Sequence, residues 1–589
     1  MPSSKQHTYR KFYRNSLITL LLVALFIAML FWYKKPPTEE IQEATANPTR
    51  VVQQVLTRPS PPEVRFSEES QARGLDFVHN SGSQGDKLLP EAMGGGVAVF
   101  DVENDGDLDL FFTNGTRWDG KQASTGRLFL NDGQAQFTDH TSESGLNESV
   151  YGTGVAVADV NQDGWQDLFV AAVGKNHLYI NQANGQFNLA EDNFDCDQSG
   201  WTTSAGFFDY DLDGDEDLLI LNYIQWSPEL DEQVNYQIEG IGKAYGPPNN
   251  FPGTQLCLFK NEAGSFVDVS TASGLLDGDL ASKSKALGLS FWDLNQNGWL
   301  DIVVANDTVA NQVFINDGKG HFTEQGGLTG LGFDAAGKST GAMGIDMAYY
   351  QNDQRLAVAI GNFGSEATSF YVSREGLFYT DESMLTGIGP PSRSVVTFGV
   401  FFFDYDLDGR LDFFQTNGHV ENLIQQVESS VTYEQVNQLF WHCGLNCRPT
   451  YEPVSDAGDL LNQPLVGRAA AYGDFDSDGD LDVVVTQVDG PVRLYMNQQN
   501  TNNHWLTLVL STTDHRSLVG TRIEVTNNQA TQRFVYSQTR SYQTQVQPWI
   551  TIGLGIRDDS PVTVNVIENN GKTHQREFIT VNKKVDWVL

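Results

Sequence analysis

One nine-residue pattern recurs along most of this chain and limits its fold more than any other feature. The pattern D-x-[DNE]-x-[DN]-G-x-x-D reads DVENDGDLD from Asp101, DVNQDGWQD from Asp159, DYDLDGDED from Asp209, DLNQNGWLD from Asp293, DYDLDGRLD from Asp404 and DFDSDGDLD from Asp474. A degenerate seventh copy, YYQNDQRLA from Tyr349, fills the gap between the fourth and fifth. Successive copies start 50 to 84 residues apart, the length of one four-stranded blade with variable insertions. Each copy joins two apolar runs, such as Gly96-Val97-Ala98-Val99-Phe100 before the first and Leu110-Phe111-Phe112 after it, which read as paired strands. A third run ends in Asn, as at Asn131 and Asn316, and a Gly-containing turn leads to a fourth such as Phe137-Thr138-Asp139.

The last copy is short of one strand. After Asp474 three runs follow, the third ending at Asn497, whereas Phe66 to Leu75 has the fourth-strand pattern with no blade in front of it. Pairing the two would remove an exposed edge. The expected fold is therefore all-β: a seven-bladed β-propeller over residues 63–498, closed by an N-terminal strand, with a smaller domain over 499–589. That tail alternates apolar and polar residues, as in Leu506 to Leu510 and Val562 to Val566, and predicts a β-sandwich-like domain.

The repeated turns put oxygen donors at positions 1, 3, 5 and 9, with Gly at position 6 for the sharp bend. Hard oxygen donors without His or Cys suit Ca2+. The expected ligands are Asp101, Glu103, Asp105 and Asp109; Asp159, Asn161, Asp163 and Asp167; Asp209, Asp211, Asp213 and Asp217; Asp293, Asn295, Asn297 and Asp301; Asp404, Asp406, Asp408 and Asp412; Asp474, Asp476, Asp478 and Asp482. An EF-hand would need Glu at position 12, where Phe112, Val170, Ile220, Val304, Gln415 and Val485 stand instead. The copy at Tyr349 offers Tyr, Gln and Ala at three of its four ligand positions and is expected to hold no ion. Six divalent ions would bring the net charge from −38 to −26, relieving self-repulsion, and the ions are expected to hold the fold rather than perform chemistry.

The same negative charge argues against nucleic acid as a partner. Lys5, Arg10, Lys11 and Arg14 precede an apolar run from Leu17 to Tyr33, and Lys34 and Lys35 follow it. The run has the length of a membrane-crossing helix, and the excess of positive residues before it predicts a cytoplasmic segment over 1–16, a signal anchor over 17–33 and an exported bulk, periplasmic or extracellular; a signal peptide cleaved near Ala44-Thr45-Ala46 is the alternative, with the bulk exported either way. Residues 34–62, rich in proline, read as a spacer. Cys443 and Cys447 would close a hairpin as a disulfide or contribute to a zinc site, and Cys196 with Cys257 remains by elimination.

The repeats over residues 66 to 498 resemble FG-GAP and VCBS-type repeats of integrin α-subunit propellers and bacterial exported proteins. Asn503-His504-Trp505-Leu506, Gly520-Thr521-Arg522-Ile523, Ser541-Tyr542-Gln543-Thr544-Gln545 and Gly553-Leu554-Gly555 resemble the ASPIC/UnbV domain of cartilage-acidic-protein-like chains. The Trp-Pro-Ser-Gly segment usual in that domain is replaced by VIENNG over 566–571. The resemblance implies calcium-dependent adhesion or interaction with a protein or glycan outside the cytoplasm. Insertions at 224–254 and 418–436 are the candidate recognition segments, the first carrying Trp226, Tyr236, Tyr245 and Phe251; packing of these rings onto the propeller is the alternative. No nucleophile elbow, zinc-binding His pair or phosphate loop stands in the sequence; His419 beside Glu421 is the nearest approach to an acid–base pair. A calcium-dependent propeller hydrolase or lyase acting on a glycan or phosphorylated substrate is the alternative reading.

Overall fold

The computed structural model describes residues 18–29, 32 and 59–589, apart from 122, 192, 195, 197–199, 278–282, 446, 528 and 529. The chain divides into two units, Met1–Arg58 and Pro59–Leu589. In the first, residues 18–29 are helical and exposed. Among the described residues no helix is long and apolar enough to cross a membrane. The expected anchor over 17–33 extends outside the described residues, as do the segment before it and most of the 34–62 spacer.

The second unit is all-β. Apart from the hairpin Gln237–Ile238 and Gly242–Lys243, its strands from residue 66 to 497 form seven antiparallel meanders of four strands each. The first strands of these sheets are Val97–Phe100, Tyr151–Ala158, Thr202–Phe208, Ala286–Trp292, Ala342–Ala348, Thr397–Phe403 and Gly467–Gly473. Each lies against the next, and the last lies against the first. These strands are buried on both faces, which is why the sequence shows unbroken apolar runs there rather than alternation. Close approach requires small residues: a Cβ at Gly344 would sit 2.2 Å from the carbonyl oxygen of Phe398 on the neighbouring sheet. The seventh sheet is completed from the other end of the unit, Phe66–Glu68 pairing with Arg493–Asn497 in the register Phe66↔Asn497.

The Asn that ends the third strand ties neighbouring sheets together. Asn181 Nδ2 donates to Gln166 O in its own turn and to Val102 O in the preceding turn, at 3.1 and 3.0 Å. Asn131, Asn261, Asn316 and Asn497 reach back in the same way to Phe475, Val160, Tyr210 and Tyr405. In the sixth sheet His442 takes this place and packs edge-on against Tyr350 instead. Asn181→Ala is expected to cost about 1–3 kcal/mol in chemical denaturation, because it leaves buried carbonyls without donors.

Both cysteine pairs form disulfides, Cys196 with Cys257 and Cys443 with Cys447, with Cα separations of 6.2 and 5.9 Å. The zinc alternative for the closer pair is thereby displaced.

The tail builds two further sheets. His504–Ser511 lies between Ile550–Gly555 and Lys584–Val588, and Arg522–Asn527 with Val562–Ile567 forms the middle of the other. Leu506, Leu508, Ile523, Val525, Ile552, Val564 and Trp587 share the core between them. Between these sheets the chain sends out a hairpin, Thr539–Arg540 and Thr544–Gln545, that joins the first strand of the first sheet in parallel, Val97↔Thr544 and Ala98↔Gln545. Its tip runs down the middle of the array. Tyr542 is wholly buried beside Leu287, Met343 and Phe398, strands of three different sheets, and its hydroxyl donates to Met93 O at 3.1 Å.

Candidate metal centres

Each acidic turn is shaped by its own carboxylates. In the second, Asp159 Oδ1 accepts from Asp163 N at 3.0 Å and Oδ2 from Gly164 N at 2.7 Å. Asp101, Asp209, Asp293 and Asp404 do the same at their positions. Gly164 stands at φ +91°, a conformation L side chains rarely adopt, which fixes glycine at position 6. The position 9 carboxylate is the anchor: Asp167 accepts from Val160 N at 3.0 Å and from Asn181 N at 2.7 Å. Strand, turn and third strand therefore meet at one carboxylate.

Three turns gather carboxylate oxygens within 4.8 Å of one another: Asp209, Asp211 and Asp217; Asp404, Asp406 and Asp412; Asp474, Asp476 and Asp478. Burial and then neighbouring carboxylates raise their proton affinity. Asp209 is pushed up to about 7 and Asp217 to about 8, and Asp404, Asp412 and Asp482 stand well above the usual range. Oδ1 of Asp211, Asp474 and Asp476 has no hydrogen-bond partner among the described residues. Crowded, buried, acceptor-only oxygens of this kind fit a hard divalent cation. The third and sixth turns also draw in the chain's own cations, Lys260 against Asp211 and Asp213 and Arg410 against Asp408. The first, second and fourth turns keep the same backbone arrangement, the second and fourth offering amide oxygens of Asn161, Asn295 and Asn297 in place of carboxylates.

Position 7, outside the four donor positions expected from the repeat, supplies a further side chain in the seventh turn. Asp480 is buried there, pushed up to about 10 by burial and by Asp478, Asp474 and Asp476, with Oδ1 unpartnered among the described residues. Asp at position 7 in the first, third and seventh copies was the available signal, and only in the seventh is the residue buried. In the degenerate fifth turn Arg355 donates to Asp353 Oδ2 at 2.7 Å and contacts Gln351, so a guanidinium stands among the ligand positions.

The tail covers the turns. Lys584 donates to Gly106 O in the first, and His515 Nδ1 lies 3.9 Å from Asp159 in the second. Ser517 N donates to Gly214 O in the third at 3.2 Å, and Arg522 and Asn569 share a small cavity with Asp293 of the fourth. Arg533 donates to Asn352 O in the fifth, Gly555 N to Leu407 O in the sixth, and Gln547 Oε1 accepts from Asp474 N in the seventh. All seven turns thus meet the same domain.

The insertions leave from the opposite ends of the strands, because each connects a second strand to a third. Their aromatics are mostly structural: Trp226 and Phe251 are buried in one apolar cluster with Leu88, Leu89 and Tyr542, while Tyr245 is half-buried. His419 is brought beside Arg468, not into acid–base contact with the Glu421 carboxylate; its Nδ1 accepts from Glu421 N at 3.0 Å, and burial pushes the ring down to about 4.

A family profile described as FG-GAP-like repeat matches residues 101–170, 159–220 and 293–360, and one described as ASPIC and UnbV matches 511–587. Cartilage acidic protein 1 of Homo sapiens is 23% identical over 479 residues, covering 70% of this chain and 68% of its own. The Mus musculus protein of the same name is 24% identical over 472 residues, covering 70% of each chain. Integrin alpha-3 of Mus musculus is 26% identical over 199 residues, 31% of this chain and 18% of its own. Among solved structures, the Dos1 propeller aligns with 66% of this chain and 73% of its own at 12% identity and a TM-score of 0.32. The chain thus carries FG-GAP-like repeats followed by an ASPIC and UnbV domain, and is homologous to cartilage acidic protein 1 and to integrin alpha-3.

Proposed function

We propose that the chain is a membrane-anchored, exported, seven-bladed β-propeller that holds Ca2+ in six of its turns and takes an extracytoplasmic protein or glycan on the face bearing the two insertions. The cover over the turns carries this reading: every acidic turn meets the tail, so the ions there act on the protein's own architecture and the insertion face is left for a partner. The seven sheets in cyclic contact support the propeller, and the charge of −38 supports cation binding. The apolar run from Leu17 to Tyr33 with its positive flank supports the anchor. Pull-down from an extracytoplasmic extract, with calcium and with chelator, tests the reading: calcium-dependent retention of a partner is expected, and loss of that retention on substituting the 224–254 insertion. No retained partner with calcium present overturns it.

A hydrolase or lyase is the second reading, favoured by one observation: His419, Arg468, Glu91 and Glu421 come together on the insertion face. Arg468 is committed to four bonds with backbone carbonyls, and the His419 ring has its Nδ1 engaged. Turnover in a panel of glycan and phosphoester substrates would move the chain to this reading.

A further inference from the structure

Aspartate stands at position 7 of the first, third and seventh turns, as Asp107, Asp215 and Asp480. In the first, both carboxylate oxygens of Asp107 face the next hairpin, where a Cβ added to Gly133 would lie 2.6 Å from each. In the third, Asp215 Oδ1 accepts from Gln162 Nε2 at 2.8 Å and Oδ2 from Ala263 N at 3.1 Å, so both oxygens are engaged outside their own turn. Asp480 is placed differently: it is 2% exposed, its carboxyl lies beside that of Asp478, and Oδ1 has no hydrogen-bond partner among the described residues.

This sets the seventh turn apart. Asp474, Asp476 and Asp478 bring carboxylate oxygens within 4.8 Å of one another. Oδ1 of Asp474, of Asp476 and of Asp480 are all buried and unpartnered among the described residues, against one such carboxylate oxygen in the third turn and none in the other five. The group cannot spread, because Asp474 Oδ2 accepts from Gly479 N and Asp478 Oδ1 from Asp480 N, both at 3.1 Å, while Phe475 N and Asn497 N hold Asp482 at 3.2 and 2.7 Å. Nor does the chain neutralise it. Lys260 and Arg410 pair with acids of the third and sixth turns, whereas Lys584 and Arg73 reach Asp474 and Asp476 only through space, and among the described residues no lysine or arginine pairs with the seventh. Trp505 of the tail closes one side, since a Cβ on Gly479 would fall 1.8 Å from its Cε2, while Ser477 and Asp478 are exposed and leave a cation its way in. Carboxylates fixed at this spacing repel one another, and a hard cation relieves them.

We infer that the Asp480 carboxylate is a direct ligand in the seventh turn, which makes that turn a five-carboxylate site, holding its cation more tightly than the other five and favouring an ion of higher charge. The inference rests on the reading that the turns bind Ca2+, and adds that they do not bind alike. Affinity in oxygen sites follows the number of charged ligands and the rigidity that holds them. The attraction of each added carboxylate grows with the charge of the ion, so a trivalent ion gains more from Asp480 than calcium does.

The test is titration of the full chain in detergent with Tb3+ in excess calcium, read as terbium emission sensitised by tryptophan. The first equivalent is expected to enter the seventh turn, so that its emission is lost in Trp505→Phe. Its affinity should fall about tenfold or more in Asp480→Asn, and by no more than about twofold in Asp107→Asn, which removes the same charge where the side chain faces elsewhere. Unchanged affinity in Asp480→Asn, equal losses in the two Asn variants, or first-equivalent emission that survives in Trp505→Phe overturns the inference. Should Trp505→Phe fail to fold, the comparison of Asp480→Asn with Asp107→Asn, followed by direct excitation of terbium, still decides. A parent chain that binds neither calcium nor terbium would overturn the proposed occupancy of the turns and this inference with it, whereas binding indifferent to Asp480 removes the inference alone.

Discussion

Excess chelator is expected to lower the melting midpoint of the calcium-loaded chain by on the order of 10 °C, the largest response to any single change of conditions. A site that binds only the folded state contributes about 2.7 kcal/mol when the ion stands a hundredfold above its dissociation constant. Under the proposed occupancy several such sites would act in one body, and their loss would return the buried carboxylates of Asp404, Asp412, Asp474 and Asp482 to mutual repulsion. The loss should be felt first where the tail meets the turns. Protease cleavage between residues 536 and 549 should accelerate in chelator, before cleavage within the sheets. Equal midpoints with and without calcium, measured at matched ionic strength, would exclude the ions from any part in holding the fold.

Arg540→Ala is expected to destabilise the protein by about 3–5 kcal/mol, among the largest effects of any single substitution. The hairpin carries Arg540 to Asp346 of the fifth sheet, where Nη1 donates to Oδ1 at 2.7 Å with the carboxylate wholly buried. Asp346 Oδ2 accepts from Phe402 N at 2.7 Å, so the charge also joins the fifth sheet to the sixth. Removing the guanidinium leaves that charge buried and alone. Replacing both partners, Arg540→Met with Asp346→Leu, should recover much of the loss, since a well-packed apolar pair carries no desolvation cost. Chemical denaturation of the two variants beside the parent checks this; equal stability of the double and single variants would show that the hairpin's packing, not its charge, matters most.

Much of this was legible in the sequence because the repeat states it several times over. Each copy puts an apolar run, a turn and further apolar runs in order, and in five of the seven an Asn in the third run staples the sheet to its neighbour. The closing strand was legible for the same reason: Phe66 to Glu68 had the pattern of a fourth strand and nothing before it to join. What repetition could not reveal lies between copies or occurs once. Ser541 to Gln545 is polar but for one tyrosine, and nothing in its composition marks it as the most enclosed segment of the tail. Among the described residues no carboxylate forms an ion pair with Arg468; carbonyl oxygens and the Phe398 ring, 3.9 Å away, hold it. The aromatics at 224–254 suited a recognition surface and a packed insertion equally, and Trp226 donates its indole to Asp231 and packs inward, so a solvent-facing ring and a core ring were written alike.

The hairpin through the middle of the array sets the sequence of events during synthesis. Residues 66 to 68 wait unpaired until 493 to 497 have been made, and the axis between the sheets has no filling until Tyr542 arrives. A nascent or truncated chain ending before the tail would therefore hold an apolar shaft lined by Leu287, Met343 and Phe398, open to water. Closure of the outer edge waits for residues 493 to 497 and filling of the centre for Tyr542, so a stop between the two yields a product whose seven sheets are all present and whose interior invites chaperones.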